Sequence, residues 1–316
     1  MNREPTILVI GSINMDLVVR SPHMPAPGET VLGDGFATAP GGKGANQAVA
    51  VARQGARCVF LGRVGEDAFG RALLEGMRRE GIECDNVIVT PDAPTGVAMI
   101  IVDARGENSI VVASGANYRV TPDDVFEREA LFEEADLVLL QLELPLPTVQ
   151  AAKKLAQRHG ARVVLDPAPA PPTMPDELCN VDVITPNVSE AEMITGQRAN
   201  EADDRVNKLI ASDLIARGAK AAVLKLGSRG SLVVTAEGEI ASVPPFKVDI
   251  VDTTAAGDAF TAALAVNFAR GMSLAKAAHL ANAAGALACT RFGAQPSMPT
   301  AEDIRLLIED QGLPNE

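Results

Sequence analysis

Little in this chain serves soft metals or covalent cross-links. Its 316 residues include four cysteines, Cys58, Cys84, Cys179 and Cys289, and three histidines, His23, His159 and His279. None stands at zinc-ligand spacing and no C-x-x-C pair occurs, so a zinc site and a disulfide framework are both disfavoured. Packing is the expected role of all four thiols. Long hydrophobic runs are missing too. The opening MNREPT is followed by only the five apolar-type residues Ile7 to Gly11 before the polar Ser-Ile-Asn-Met-Asp, too few for a signal-peptide core. No apolar stretch reaches the roughly 18 residues that a membrane span needs. A reducing, cytoplasmic setting without membrane contact is therefore expected. Positive charge is scarce: 28 Lys and Arg against 41 Asp and Glu leave a formal charge of −13, which opposes contact with nucleic-acid backbones or anionic membranes. A small phosphorylated ligand stays compatible, because amides, a few cations and a metal hold such an anion locally.

What is present is ordinary for a globular protein. Hydrophobic residues make up 47% and charged residues 22%, and at roughly 150 residues per domain a single large domain over 1–316 is allowed. Runs rich in Val, Ile and Leu at Ile7–Ile10, Val59–Leu61, Leu137–Leu140, Val163–Leu165, Val181–Ile184 and Ala221–Leu224 read as strands buried on both faces. Helix-period stretches lie between them, at Ala45–Gln54, Phe69–Glu80, Pro147–His159 and Asp204–Arg217, closed by Gly55, Gly81, Gly160 and Gly218. Alternating strand and helix predicts a mostly parallel α/β sheet. Two regions break the rhythm: Thr30–Pro40 and Thr95–Ala113 look like alternating or hairpin strands, with turn signals at Gly33-Asp-Gly and Ala104-Arg-Gly-Glu-Asn. They predict a small antiparallel flap. The Pro-rich stretch Pro167–Pro175 follows a strand where α/β proteins place ligand loops, and Ala256 to Thr290 reads as two Ala-rich core helices.

Several stretches carry candidate chemistry. Val251-Asp-Thr-Thr-Ala-Ala-Gly-Asp258 puts small residues before an Ala-rich helix, leaving the amides of Ala255, Ala256 and Gly257 free at its N-terminus as an anion site. Asp258 would lie in the first turn, where the positive helix end favours the ionised carboxylate and so a proton acceptor; it could equally just stabilise that turn. In Gly41-Gly-Lys-Gly-Ala-Asn-Gln47 a glycine cluster enters a helix, and Gly42, Lys43 and Asn46 suit sugar hydroxyls or a carboxylate, the alternative being a cap with a surface lysine. Lys43 is followed by Gly44, so this is not a Walker A loop. Asn14 and Asp16 leave the first strand and Glu143 leaves the strand Leu137–Gln141, at the sheet edge that carries ligands; an Asx-turn and an exposed loop carboxylate are their plain readings. Asn187 and Glu190, one turn apart, read as a helix cap or as orienters of Mg2+ water ligands beside a nucleoside triphosphate. Lys225-Leu-Gly-Ser-Arg-Gly230 is a glycine turn that borders a nucleotide or merely closes a hairpin.

Taken together, Gly11-Ser-Ile-Asn-Met-Asp16, Gly41 through Gln47, Gln141-Leu-Glu143, Thr185-Pro-Asn187 through Glu190, Leu226 through Gly230, Asp252 through Asp258 and Gly293-Ala-Gln-Pro-Ser297 resemble, in order and over nearly the whole chain, the ribokinase-like family of carbohydrate kinases. The resemblance implies a three-layer α/β/α fold with a mostly parallel central sheet and a small antiparallel β lid, formed by about 14–42 and 95–114. It implies Asp258 as the base for a sugar's primary hydroxyl, with the amides of Ala255, Ala256 and Gly257 as the anion hole. Asn14, Asp16, Gly42, Lys43, Asn46 and Glu143 match sugar-holding positions. Asn187, Glu190, Lys225, Leu226, Gly227, Ser228, Gly230, Gly257 and Asn282 match nucleotide positions. A K+ activator would take oxygen ligands from Asp252, Thr254, Ala288, Arg291, Gly293 and Ser297. Two departures stand out. Ala255 replaces the family's usual first glycine of the catalytic loop, which fits its ribose-phosphorylating members, and Lys225 replaces a small hydroxyl residue, so that its charge reaches the ATP phosphates or points to solvent. The implied activity is ATP- and Mg2+-dependent conversion of D-ribose to D-ribose 5-phosphate in a homodimer paired through its lids. The alternatives are a kinase for deoxyribose, a fructose-like sugar or a nucleoside, and a non-catalytic sugar-binding regulator.

Overall fold

The computed structural model describes residues 3–198 and 203–312; the single-domain reading of 1–316 extends outside them at 1–2, 199–202 and 313–316. Its strands are β1 (Thr6–Ile10), β2 (Asn14–Arg20), β3 (Gly35–Gly41), β4 (Arg57–Gly65), β5 (Val87–Thr90), β6 (Gly96–Val102), β7 (Asn108–Ala113), β8 (Leu137–Leu140), β9 (Arg162–Leu165), β10 (Val183–Ile184), β11 (Ala221–Lys225), β12 (Ser231–Thr235) and β13 (Ile240–Val243). Among the described residues nine of them form one sheet in the order β13-β12-β11-β10-β9-β8-β1-β4-β5. Every pairing from β11 to β5 is parallel, and only the β11–β12 and β12–β13 pairings at one edge are antiparallel.

Alternation along the strands makes the layers. Ile7, Val9, Leu137, Leu139, Val164, Val183 and Val223 face one core with the helices Lys43–Arg53, Ala256–Ala269 and Leu274–Ala288. Leu8, Ile10, Val138, Leu140, Val163, Leu165 and Leu224 face the other, against Leu146–Arg158 and Asp204–Ala216. With both faces covered, these strands need apolar side chains at every position, which is why they read as continuous runs rather than alternating patterns. The expected helices are present within one to two residues at each end, and Gly55, Gly81, Gly160 and Gly218 all have positive φ just beyond them.

The flap is a second sheet in the order β3-β2-β6-β7. Its outer pairings are antiparallel, while the middle pair, β2 with β6, runs parallel. The tight hairpin between β6 and β7 turns on Asp103, whose carboxylate accepts from the amides of Arg105 and Glu107, with Gly106 at φ 81°. The stretch from Thr30 is extended only from Gly35 onward; pairing begins where the amide of Asp34 donates to the Arg20 carbonyl. Because only three residues separate the end of β1 from Asn14, where β2 starts, the flap springs directly from the carboxyl edge of the main sheet.

Candidate active site

Consecutive parallel strands deliver polar side chains to that edge. Ser12 follows β1, Glu143 follows β8, Asp166 follows β9, Asn187 follows β10, and Lys225 ends β11. The helices Lys43–Arg53 and Ala256–Ala269 point their N-terminal turns at the same place, and Asp258 joins them. Its Oδ2 accepts from Asn46 Nδ2 at 3.0 Å and its Oδ1 from Gln47 Nε2 at 3.0 Å. The same Gln47 nitrogen donates to Asp166 Oδ2 at 2.9 Å, and Gln47 Oε1 accepts from Gln141 Nε2 at 2.6 Å. Two carboxylates and three side-chain amides thus interlock in a buried cluster.

The helix dipole does not dominate at Asp258. Burial raises its carboxyl above the usual range; Lys43 and the Asn46 and Gln47 hydrogen bonds pull it down, and Asp166 pushes it further up. This corrects the expectation that the helix end alone keeps it ionised. A helix terminus contributes at most about 2 kcal/mol, whereas withdrawing a carboxylate from water costs several, so burial wins. A carboxylate raised above its ordinary range is a stronger proton acceptor for a hydroxyl than a free one.

The anion hole is likewise modified. Ala255 lies in the left-handed region at φ 59° and caps the helix, while the Ala256 amide donates to the Thr253 carbonyl at 3.3 Å. Among the described residues, the amides of Ala255 and Gly257 donate to nothing, so two of the three expected donors stand free.

On the flap side, Asn14 Oδ1 accepts from Asn117 Nδ2 at 2.7 Å, which holds the first residue of β2. The Asp16 carboxylate accepts no hydrogen bond among the described residues and is pushed up to about 7 by burial, with Glu143 and Asp258 adding. It lies against Gly41, where a Cβ would come within 2.3 Å of it; only glycine admits the carboxylate there. Gly42, at φ 87°, then starts the helix. Glu143 Oε2 accepts from Ser12 Oγ and, at 3.1 Å, from the Lys43 amide, fastening the β1 exit to the helix start. The Lys43 ammonium makes no direct ion pair among the described residues. Burial acts to lower its pKa, but Asp258, Asp166, Glu143 and Glu190 together raise it, so it stays charged. Asn46 Oδ1 is buried and without a partner, an acceptor left for a ligand hydroxyl.

The remaining candidates form two groups. Asn187 and Glu190 make a reciprocal capping box, each side chain bonding the other's backbone amide at 2.8 Å. The turn Gly227–Arg229 with Leu226 and Gly230 closes the β11–β12 hairpin and leaves Ser228 exposed. Gly230 abuts the Val243 carbonyl, and Asn282 Nδ2 donates to the carbonyls of Val243 and Pro244 at 3.1 and 3.0 Å. Lys225 does not point to solvent: its Nζ pairs with Asp166 Oδ1 at 2.9 Å. In the second group, Asp252 accepts from Thr254 through Oδ1 and from the Gly293 amide, 2.9 Å away, through Oδ2. Ala288 ends its helix and Ser297 Oγ donates to the Ala294 carbonyl; Arg291 lies exposed between them. This all-oxygen donor set of a carboxylate, carbonyls and hydroxyls fits a hard monovalent cation. Glu190 keeps Oε1 free of hydrogen bonds among the described residues, which fits a Mg2+ held through water.

Ser12, Gln47, Asn117, Gln141 and Asp166 belong to the site without having been singled out by sequence. Asp166 had a signal, a carboxylate at a strand exit directly before the Pro-rich ligand-loop segment; Asn117, in a short 3-10 turn, had none.

The chain matches the model of the pfkB family carbohydrate kinases over residues 4–301. It is 41% identical over 305 residues to the ribokinase of Schizosaccharomyces pombe, covering 94% of this chain and 96% of that protein. It is 35% identical to the deoxyribokinase of Salmonella typhi, covering 94% and 96%. The structure of Arabidopsis thaliana ribokinase complexed with ribose and ATP superposes with a TM-score of 0.89 at 33% identity, over 97% of this chain and 99% of that one.

Proposed function

Because the chain belongs to the pfkB family of carbohydrate kinases, we propose that it transfers the γ-phosphoryl group of ATP to the 5-hydroxyl of D-ribose, giving D-ribose 5-phosphate. The observation that carries this is Asp258, buried between Asn46 and Gln47 and one residue beyond the unengaged Gly257 amide. A carboxylate held this way takes the hydroxyl proton, and the amides of Ala255 and Gly257 neutralise charge developing on the transferred group. The Arabidopsis relative bound to ribose and ATP supports the same pair of substrates.

In this reading Asn14, Asp16, Gly42, Lys43, Asn46 and Glu143 hold the sugar. Asn187, Lys225, the Leu226–Gly230 turn, Gly257 and Asn282 hold the nucleotide, and residues 1–316 act as one kinase domain with a lid. Mg2+, oriented by Glu190 and Asn187 through water, would supply charge neutralisation on the phosphates. K+ at Asp252, Thr254, Ala288, Arg291, Gly293 and Ser297 would brace the loop that carries Ala255. The lid closes over the sugar and excludes water, and its exposed Phe36, Met99 and Val111, which share the flap face opposite Asp16, pair with a second lid in a homodimer, since an exposed apolar face of this kind marks an interaction surface. The enzyme works in the cytoplasm; no helix among the described residues is long and apolar enough to cross a membrane.

Coupled ADP release with Mg2+-ATP and a panel of sugars and nucleosides, with K+ or an inert large cation, tests the reading. Ribose-selective, K+-stimulated turnover is expected. Selectivity for deoxyribose, the substrate named for the Salmonella relative, would keep the chemistry and replace the sugar; silence across the panel would favour a non-catalytic sugar binder.

A further inference from the structure

Lys225 ends β11 at the start of the candidate nucleotide turn, but its side chain turns inward. Its Nζ lies 2.9 Å from Asp166 Oδ1, and a Cβ built on Gly257 would stand 3.5 Å from that nitrogen. The ammonium is therefore beside the loop whose free amides face the transferred phosphoryl group. Both partners are largely withdrawn from water, with side chains 12% and 2% exposed. A buried ion pair is rarely worth more than apolar residues of the same shape, so stability alone is a poor reason for this one. Its hydrogen bonding is also incomplete. An ammonium has three donors, and among the described residues Lys225 spends one, on Asp166. Asp166 cannot turn away, because Gln47 holds its other oxygen at 2.9 Å.

We propose that Lys225 is the cationic contact for the terminal phosphate of the nucleoside triphosphate, and that Asp166 is the positioning residue that holds its ammonium beside Gly257. The inference rests on the phosphotransferase reading and adds to it a residue that distinguishes ATP from nucleotides lacking the distal phosphates. Two unspent N–H donors of Lys225 serve phosphate oxygens, while Gln47 fixes Asp166 and Asp258 as one unit.

The test is calorimetric binding of ATP and of AMP to the full chain, in the wild type, Lys225→Met and the double variant Lys225→Thr with Asp166→Asn. The double variant removes both charges of the Lys225–Asp166 pair together and so guards against a simple folding failure. Both variants should lose about tenfold or more in ATP affinity with AMP affinity within about twofold of wild type, and the double variant should recover the thermal stability that Lys225→Met loses. An ATP to AMP affinity ratio unchanged in either variant, with only stability altered, would overturn the proposal and make the pair structural. Failure of the wild type to bind ATP would instead bring down the phosphotransferase reading itself, and the clamp with it.

Discussion

Gln47 and Asp258 are joined by a 3.0 Å hydrogen bond from the amide Nε2 to carboxylate Oδ1, and the same nitrogen reaches Asp166 at 2.9 Å. One neutral side chain therefore separates two buried carboxylates, and Gln141 fixes it by donating to its Oε1. Asp258 owes part of its acidity to this bond: burial raises its pKa, and the Asn46 and Gln47 donors oppose that rise. In Gln47→Leu the opposing bond is lost, so the pKa climbs further. The acid limb of the kcat/KM profile, where the base must be deprotonated, should move to higher pH, and turnover at neutral pH should fall roughly tenfold or more. An acid limb at the wild-type pH would show that Gln47 does not tune the base.

Asp16 makes a second titration visible, this time in stability. An unfolded aspartate titrates near 3.8, whereas in the fold Asp16 is pushed up to about 7, first by burial and then by Glu143 and Asp258. Between those values the folded state holds a proton that the unfolded chain releases, so stability falls as pH rises from about 4 to 7 and stays reduced above that. Without sugar, Asp16→Asn should melt higher than wild type at pH 8 and alike near pH 4. It should also bind ribose more weakly at pH 8, because in the proposed function the free carboxylate accepts from the sugar hydroxyls. Equal melting temperatures at pH 8 would mean that Asp16 is not buried in its charged form.

Ala255 occupies a left-handed conformation, φ 59° and ψ 12°, that side chains other than glycine adopt at a cost of about 1–2 kcal/mol. Glycine relieves that cost but adds freedom to the unfolded chain worth roughly half to one kcal/mol. Ala255→Gly should therefore leave stability level or up to about 1.5 kcal/mol higher, while the β-branched Ala255→Val should lose about 2 kcal/mol and turnover along with it. Urea unfolding of the three proteins separates these outcomes; an Ala255→Val protein as stable as wild type would show that the loop is not strained.

Much of this architecture was legible because its signals are local. Leu137–Leu140 and Val163–Leu165 are apolar throughout, a pattern that only burial on both faces explains, and the glycines after the helices sit where left-handed caps are needed. Edge and flap strands were harder to read. β13 has only one of its four residues buried, and β7 has none, so neither carries a strong period. Within the site, residues at strand exits and helix starts announce themselves, as Asn14, Asp16, Lys43 and Asp258 do. Gln47 sits in a quoted motif yet reads as one more helical residue, and its role depends on Asp258, 211 positions away. The inward turn of Lys225 depends in the same way on Asp166, 59 positions distant. Partnerships of that range are made by the topology, which brings β9, β11 and two helix starts to one edge.

The most direct test of Asp258 as the base for the 5-hydroxyl of ribose is phosphorus NMR of the products formed from ribose and Mg2+-ATP by wild type and by Asp258→Asn, with ribose affinity measured on both. The wild type should give a single sugar phosphate whose phosphorus couples to the two hydrogens of C5. Asp258→Asn should bind ribose within a few-fold of wild type and turn over at least about a hundredfold more slowly. A product phosphorylated at another carbon, or an Asp258→Asn enzyme at wild-type speed, would contradict it.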